Sequence, residues 1–244
     1  MVHVFTDNII DSTAVITGQD AHHIIHVLRM KEGDEICVSS GTGLDYLCSV
    51  SSFSENEVTA RIIEARKSTE LPVEIVLYQG LPKSDKMELI IQKCTELGVS
   101  RIVPVQTRRS IVKLDAASSA KKLERWRKIA QSASEQSQRS RIPQIDPVCT
   151  LQDALRDSTS LSAAIIPYEH EYGGSGLKSF LASVSGLSSA GIFIGPEGGF
   201  EEEEISQARS AGAIPVSLGS RILRTETAGL AVISAIMLIC ESQL

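Results

Sequence analysis

Short apolar runs separated by polar turns make up the first 70 residues of the chain. The runs VHVF, AVITG, DEICVSS, DYLCSVSSF and EVTARIIEAR are β-prone, and Gly, Ser, Asn and Asp lie between them. This pattern predicts β-strands. The segment DAHHIIHVLRM, residues 20–30, predicts one helix with Asp20 as its N-cap. Short strands at this spacing predict a small β-barrel.

A different pattern begins at residue 73. The strand-like runs VEIVLYQG, RIVPVQT, AAIIPY, AGIFIG and IPVSLG are each followed by a segment with helical features. Strands that alternate with helices predict a mostly parallel sheet with helices on both faces. Residues 68–72, STELP, predict a linker. The chain is therefore expected to contain two domains, a β-barrel over residues 1–70 and an α/β domain over residues 73–244.

Composition is that of an ordinary globular protein. Hydrophobic residues make up 42% of the chain and the mean hydropathy is +0.04. The longest apolar run, residues 228–240, is too short to span a bilayer and predicts a buried helix. The N-terminal segment MVHVFTDNII lacks the features of a signal peptide. Five cysteines without a CxxC pair favour a reduced, cytoplasmic protein.

Charge is distributed unevenly along the chain. The net charge is −6, but residues 101–141 contain 11 Lys and Arg against 3 Asp and Glu. The local balance of that segment is +8, and the rest of the chain carries −14. Such asymmetry indicates a face that binds a polyanion on an otherwise acidic body. A solvated helix of mixed charge is the alternative interpretation.

A glycine-rich turn follows the predicted strand AGIFIG. Its sequence, GPEGGF, leads into four consecutive glutamates, Glu201 to Glu204. Ligands of open α/β sheets bind beyond the carboxyl ends of strands, and glycines let the backbone approach them closely. The glutamates would repel a phosphate, and the fingerprints GxxxxGK[ST] and GxGxxG are absent. The turn predicts a site for a neutral or cationic ligand, with a tight, well-capped turn as the alternative.

A second loop repeats this arrangement after the strand IPVSLG. Gly219 and a short loop precede a helix that opens at Thr225 or Thr227. Two such loops at neighbouring strand ends predict a cleft whose walls are backbone N–H and C=O groups. Those groups could bind the edge of an adenine while Ile222 and Leu223 cover its faces. A third strand end, residues 163–174, has the character to close the cleft.

Five segments together resemble one family of RNA-modifying enzymes. They are HHIIHVLRMKEGDEI (22–36), LPKSDKMELIIQKCTELGV (81–99), QTRRSIV (106–112), IGPEGGF (194–200) and LGSRILRTETA (218–228). In this order and spacing they resemble the 16S ribosomal RNA uridine-N3 methyltransferases. That family belongs to the SPOUT class of S-adenosylmethionine-dependent RNA methyltransferases. The resemblance covers nearly the whole chain.

The resemblance implies a fold and a reaction. Residues 73–244 would form an α/β-knot domain with a deep C-terminal trefoil knot, and residues 1–70 a PUA-like barrel that binds RNA. The protein would be a homodimer with each cofactor site near the subunit interface. It would use S-adenosyl-L-methionine and no metal to methylate N3 of one uridine in the decoding region of 16S rRNA, in the small ribosomal subunit.

The resemblance also implies roles for individual residues. Methyl transfer to uridine N3 requires loss of the imide proton, so a fixed cation would stabilise the developing negative charge. Arg224 is the candidate for that cation, and Glu226 is a candidate proton acceptor or helix cap. The uridine is expected to leave its stack. The candidate cofactor contacts are Ile166, Gly195, Glu197, Gly198, Leu218, Gly219, Ile222 and Leu223, and the candidate RNA contacts are Arg29, Arg109, Arg125, Arg127, Lys128 and Arg139.

Other functional classes receive less support. His22 and His26 have the spacing of two metal ligands on a helix, but no third ligand or cysteine pair accompanies them, so no metal site is predicted. A hydrolase is expected to contain GxSxG, which does not occur in the sequence. A nicotinamide-dependent oxidoreductase is expected to have a glycine fingerprint after the first α/β strand, and residues 78–85, YQGLPKSD, do not supply one. Lys83 with Lys86, and Lys93 with Glu96, could form catalytic pairs, but they are expected on a solvated helix face or at the subunit contact. A non-catalytic RNA-binding or ribosome-assembly protein on the same scaffold stays open as the alternative.

Overall fold

The structure is a computed structural model that describes residues 1–112, 115–171 and 175–242. Residues 113–114, 172–174 and 243–244, which fall within the predicted α/β domain and the expected third strand end, lie outside the described residues. The chain divides into two compact units. One comprises Met1–Glu70 and Ser134–Ile142, and the other Leu71–Ala133 and Pro143–Leu244.

The first unit is a six-stranded sheet with one helical segment. The order of its strands is β1-β4-β5-β6-β3-β2, in which β1 and β4 are parallel and the other pairs antiparallel. Its core contains the fully buried Ile24 and Ile36. The elements are β1 (Val2–Phe5), β2 (Ile9–Ile10), β3 (Thr13–Thr17), α1 (Gly18–His22), a π-helix (His23–Leu28), β4 (Glu35–Ser39), β5 (Asp45–Phe53) and β6 (Glu57–Arg66).

The predicted helix over residues 20–30 differs in detail. It begins at Gly18, so Asp20 lies in the first turn and not at the N-cap. After His22 the hydrogen bonding widens to a π-helix that runs to Leu28. Arg29 ends it in the left-handed conformation, with φ of 52°. Non-glycine residues rarely adopt this conformation, and π-turns of this kind concentrate at functional segments.

The segment Ser134–Ile142 was expected in the second domain but belongs to the first unit. A buried carboxylate explains this placement. Asp45, on β5, accepts hydrogen bonds from the hydroxyls of Ser39 and Ser140. The guanidinium of Arg139 pairs with Glu70. Buried polar groups need hydrogen-bonding partners, and the partners of Arg139 and Ser140 lie in the first unit.

The second unit is built on a parallel sheet. The strand order is β10-β8-β7-β12-β11-β13, with β9 paired to β8, and every described pair is parallel. This confirms the predicted α/β class. The elements are β7 (Glu74–Gly80), α2 (Lys86–Glu96), β8 (Arg101–Gln106), α3 (Ala116–Gln136), β9 (Gln144–Ile145), β10 (Cys149–Thr150), α4 (Leu151–Ser158), β11 (Ala163–Pro167), α5 (Ser175–Ser183), a 3₁₀ turn (Val184–Gly186), β12 (Ser189–Ile194), α6 (Glu202–Ser210), β13 (Ile214–Val216) and α7 (Thr225–Glu241).

Both faces of this sheet are covered. Successive residues of a strand point to opposite faces, and in β7 Leu77 joins one hydrophobic cluster while Tyr78 joins the other. The first cluster includes Ile90 of α2 and Ile233 of α7. The predicted apolar C-terminal helix is thus packed on the sheet. None of the helices in residues 1–112, 115–171 and 175–242 is long and apolar enough to cross a membrane.

Register brings four strand ends together. Gln79 near the end of β7 lies opposite Ile194 at the end of β12. Pro167 at the end of β11 lies opposite Val216 at the end of β13. Because β12 also pairs with β11, the loops that follow all four strands leave from one edge of the sheet. That edge is where open α/β sheets bind ligands.

Candidate active site

A cavity of about 670 Å³ lies at this edge of the sheet. Its walls come from the segments that follow β11, β12 and β13, and the sequence predicts all three. The strands β12 and β13 are not the neighbours that were expected, because β11 lies between them. The beginning of α2 contributes one further wall residue. The lining residues are Lys86, 167–169, 194–200, 217–225 and Ala228.

The turn after β12 is tight. A Cβ atom on Gly195 would lie 3.1 Å from backbone atoms of Gly199, closer than ordinary packing allows. Gly199 has φ of +68°, and its N–H donates to the carbonyl oxygen of Pro196 at 2.9 Å. Positive φ favours glycine. The glycines therefore allow this turn to fold back on itself, and the backbone of the turn lines the cavity.

Three of the four glutamates that follow have protein partners. Glu201 is the N-cap of α6 and forms a capping box with Glu204. Glu204 also accepts a hydrogen bond from the backbone N–H of Arg108 at 2.9 Å, and the Arg108 side chain pairs with Glu203. The carboxylates already satisfy the positive end of this helix. This arrangement supports the sequence argument that no phosphate binds there.

The loop after β13 supplies apolar surface. Gly219 has φ of +107°, so this position favours glycine. Leu218 and Leu223 are half-buried against the core, whereas the side chain of Ile222 is 85% exposed. Of the predicted cofactor contacts, Ile166 does not line the cavity. It is fully buried in the core beside the lining residue Pro167.

A hydrogen-bond relay connects three of the elements around the cavity. Gln79 of β7 donates to the Thr225 hydroxyl at 2.9 Å, and that hydroxyl donates to the carbonyl oxygen of Gly195 at 2.6 Å. Gln79 is fully buried and Thr225 nearly so. A Cβ on Gly80 would lie only 2.6 Å from Cδ of Pro196. The end of β7 and the beginning of α7 therefore both touch the turn after β12.

An ion bridge on the cavity wall was not anticipated. Lys86, expected on a solvated face or at a subunit contact, lies with its Nζ 3.0 Å from Oε1 of Glu197 and 3.2 Å from Oε2 of Glu226. The backbone N–H of Lys83 also donates to Glu197 at 3.2 Å. The sequence did contain one signal for this position of Lys86. Helix α2 directly follows β7, and the end of β7 lies at the sheet edge where the cavity is.

The ion bridge shifts the pKa of all three groups. Hydrogen bonds to Glu197 and Glu226 raise the pKa of the Lys86 ammonium. Partial burial disfavours the charged form of Glu197, but the Lys86 and Lys83 hydrogen bonds outweigh it and lower the pKa of that carboxyl. For Glu226, burial is again outweighed, by its backbone hydrogen bond and by Lys86, so its pKa is also lowered. All three groups are therefore charged at neutral pH.

One of the predicted arginines lines the cavity, and a second lies behind its glycine turn. Arg224 is the N-cap of α7, is exposed, and lines the cavity. Arg109 donates from Nη1 to the carbonyl oxygen of Gly198 at 2.8 Å and lies near Glu201. A Cβ on Gly198 would meet Cβ of Arg109 at 3.1 Å. Arg109 therefore stands directly behind the glycine turn.

The remaining predicted RNA contacts divide by exposure. Arg29, Arg125, Arg127 and Lys128 are exposed, and Arg125 pairs with Glu88 at 2.7 Å. Arg125, Arg127 and Lys128 are called the α3 basic face below. Arg139 is 4% exposed and its guanidinium pairs with Glu70. The expectation that Arg139 contacts RNA conflicts with this burial, because a buried, paired guanidinium does not reach a phosphate.

No group of three or more His, Cys, Asp or Glu side chains in the described part of the chain is placed to hold a metal ion. The rings of His22 and His26 lie 4.6 Å apart between centroids.

Comparison with known proteins identifies the family. Residues 69–237 match the family described as RNA methyltransferase domain, and residues 16–63 match the RNA methyltransferase PUA domain. The ribosomal RNA small subunit methyltransferase E of Bacillus subtilis is 42% identical over 228 residues, covering 92% of this chain and 89% of the relative. The chain belongs to the ribosomal RNA small subunit methyltransferase E family. The resemblance predicted from the sequence is thereby confirmed.

Solved structures of relatives share this fold. The methyltransferase E of Neisseria gonorrhoeae, bound to S-adenosyl methionine, is 31% identical with a TM-score of 0.86, covering 98% of this chain and 97% of the relative. A Legionella pneumophila methyltransferase with bound cofactor SAM is 29% identical with a TM-score of 0.85, covering 97% of each chain. This chain therefore shares its fold with both relatives along nearly its whole length.

Proposed function

We propose that the protein transfers a methyl group from S-adenosyl-L-methionine to N3 of a uridine in the decoding region of 16S rRNA. One observation carries the proposal. A cavity of about 670 Å³, walled by the loops after β11, β12 and β13, lies in a chain that shares its fold with S-adenosyl methionine-bound relatives.

The residues present fit this cofactor. A cavity of this volume is large enough for a small molecule such as S-adenosyl-L-methionine. Gly195 and Gly219 allow backbone groups to face the ligand, and Leu218, Ile222 and Leu223 offer apolar surface to an adenine. The carboxylates along the wall suit a ligand that carries a sulfonium and an ammonium and no phosphate. When bound, the cofactor supplies a methyl group on a positively charged sulfur.

Arg224 is the residue proposed to act on the uridine. Its exposed side chain lies at the cavity rim, where a fixed cation would stabilise the negative charge that develops as the imide proton leaves. Glu226, the proton acceptor predicted from the sequence, is poorly suited to that role. Its lowered pKa and its ion pair with Lys86 both oppose protonation, whereas an efficient general base has a pKa near the working pH.

The RNA surface is proposed to combine several cations. Arg109 and the α3 basic face carry exposed charges, and Arg29 stands at the end of the π-helix in the first unit. Contacts of this kind bind phosphates and make affinity depend on salt. The small ribosomal subunit or its 16S rRNA is the proposed partner, and the cytoplasm the proposed location.

Family membership supports three finer features of the fold. We include in the proposal a trefoil knot in the α/β domain, closure of the first unit as a PUA-like barrel, and assembly as a homodimer. The exposed Leu238 on the apolar helix α7 supports a subunit contact.

Calorimetric titration with S-adenosyl-L-methionine tests the proposal. We expect saturable binding of one ligand per chain. Arg224→Ala should keep this binding and lose methyl transfer to small-subunit rRNA, because Arg224 is proposed to act on the uridine and not on the cofactor. Absence of binding to the wild-type protein would instead favour a non-catalytic RNA-binding or ribosome-assembly role. Unchanged turnover of Arg224→Ala would remove that residue from the reaction.

A further inference from the structure

Lys86 joins the turn after β12 to the first turn of helix α7. Glu197 belongs to the turn after β12, and Glu226 to the first turn of α7, which follows β13. The Lys86 ammonium lies 3.0 Å from one carboxylate and 3.2 Å from the other. Lys86 itself is the first residue of α2, whose apolar face packs with α7 in the main core. The cation is therefore anchored on a rigid element.

We infer that Lys86 is a positioning residue for the proposed reaction, because it holds the Glu197 turn and the beginning of α7 at the separation that keeps the cavity formed. This inference rests on the proposed function only for its consequence, which is tight cofactor binding.

Electrostatics explain why one lysine can have this effect. The side chains of Glu197 and Glu226 are 27% and 17% exposed, so water screens them incompletely. Without the ammonium between them, the carboxylate of the turn and the carboxylate of the first turn of α7 would repel each other. The raised pKa of Lys86 and the lowered pKa of both carboxyls agree with a bridge that stays charged through neutral pH.

The cavity lining also contains the cations of Arg221 and Arg224 and the carboxylate of Glu169, so Lys86 does not decide the charge of the wall alone. Its removal would leave Glu197 and Glu226 without the ammonium that pairs with both of them. Lys86 therefore acts through Glu197 and Glu226, by fixing their positions.

The test compares three variants of the full-length protein. Lys86→Met removes the charge and keeps the aliphatic stem, and Lys86→Arg restores a cation. Lys93→Met is the matched control, because Lys93 lies on the same helix and forms an ordinary ion pair with Glu96 at 2.7 Å, away from the cavity lining. Hydrogen–deuterium exchange of the ligand-free protein reports on residues 194–200 and 217–226.

We expect faster exchange in both segments for Lys86→Met and wild-type exchange for Lys86→Arg and Lys93→Met. The dissociation constant and the KM for S-adenosyl-L-methionine should rise about 10-fold in Lys86→Met, with kcat changed little. Lys86→Met should add no further weakening in a Glu197→Gln/Glu226→Gln background. Wild-type exchange in Lys86→Met, or equal effects of Lys93→Met, would overturn the inference.

The two proposals fail in different ways. If the wild-type protein does not bind S-adenosyl-L-methionine, the proposed function is wrong, and the exchange measurement still decides whether Lys86 positions the loops. If the wild-type protein binds the cofactor but Lys86→Met binds it equally well and exchanges normally, the function stands and the role of Lys86 is refuted.

Discussion

Gly80 is the position where the end of β7 comes closest to the turn after β12. A Cβ built on Gly80 would lie 2.6 Å from Cδ and 2.8 Å from N of Pro196. Both atoms belong to the rigid ring of Pro196, so neither can rotate away from the added methyl group. Gly80→Ala therefore forces the turn to move by several tenths of an ångström. Overpacking of this kind costs about 1–3 kcal/mol.

Urea unfolding measures this cost, and calorimetry measures the accompanying loss of cofactor affinity. Gly186→Ala is the matched control, because a Cβ there meets nothing within 4 Å and its φ suits alanine. The control should be neutral or slightly stabilising. If Gly80→Ala were as stable as Gly186→Ala and bound S-adenosyl-L-methionine equally well, the strand end and the turn would not be in the contact described.

Three further predictions concern the relay, the ion bridge and the RNA surface. Thr225→Val removes both hydrogen bonds of the buried hydroxyl and should lower the free energy of unfolding by about 1–3 kcal/mol in urea titrations, whereas the exposed Thr227→Val should change it little. Because the pKa values of Glu197 and Glu226 are lowered on folding, their contribution to stability is present above about pH 4.3 and is lost as pH falls through the folded values. The melting temperatures of wild type and Glu197→Gln/Glu226→Gln should accordingly differ at pH 7 and converge at low pH; a constant difference would contradict this. Charge reversal of the α3 basic face should weaken rRNA binding and reduce its salt dependence in filter-binding assays, and unchanged binding would place the RNA elsewhere.

Much of the architecture was predictable because local patterns and tertiary structure agree. The alternation of strands and helices after residue 73 predicted the parallel sheet, and the glycine turns after β12 and β13 predicted the cavity walls. These features follow from chain geometry alone: parallel strand ends share an edge, and glycine marks tight loops.

The features that were missed depend on contacts between residues far apart in sequence. The segment Ser134–Ile142 carries no local signal of its partner, because the buried carboxylate of Asp45 is almost 100 positions away. Lys86 looks like a surface lysine until the turn containing Glu197 is placed beside it. Arg139 belongs to a basic segment, yet its pairing with Glu70 buries it. Charge patterns show which residues are cations and do not show what those cations meet.

Transfer of labelled methyl groups tests the central claim most directly. The protein would be incubated with methyl-labelled S-adenosyl-L-methionine and small ribosomal subunits or 16S rRNA that lack the modification. The RNA would then be digested to nucleosides, which would be separated by liquid chromatography and identified against a 3-methyluridine standard, because methylated uridines of different position have the same mass. The account predicts label in 3-methyluridine, and none with Arg224→Ala. Label in a different nucleoside, or no label with the wild-type protein on either substrate, would contradict it.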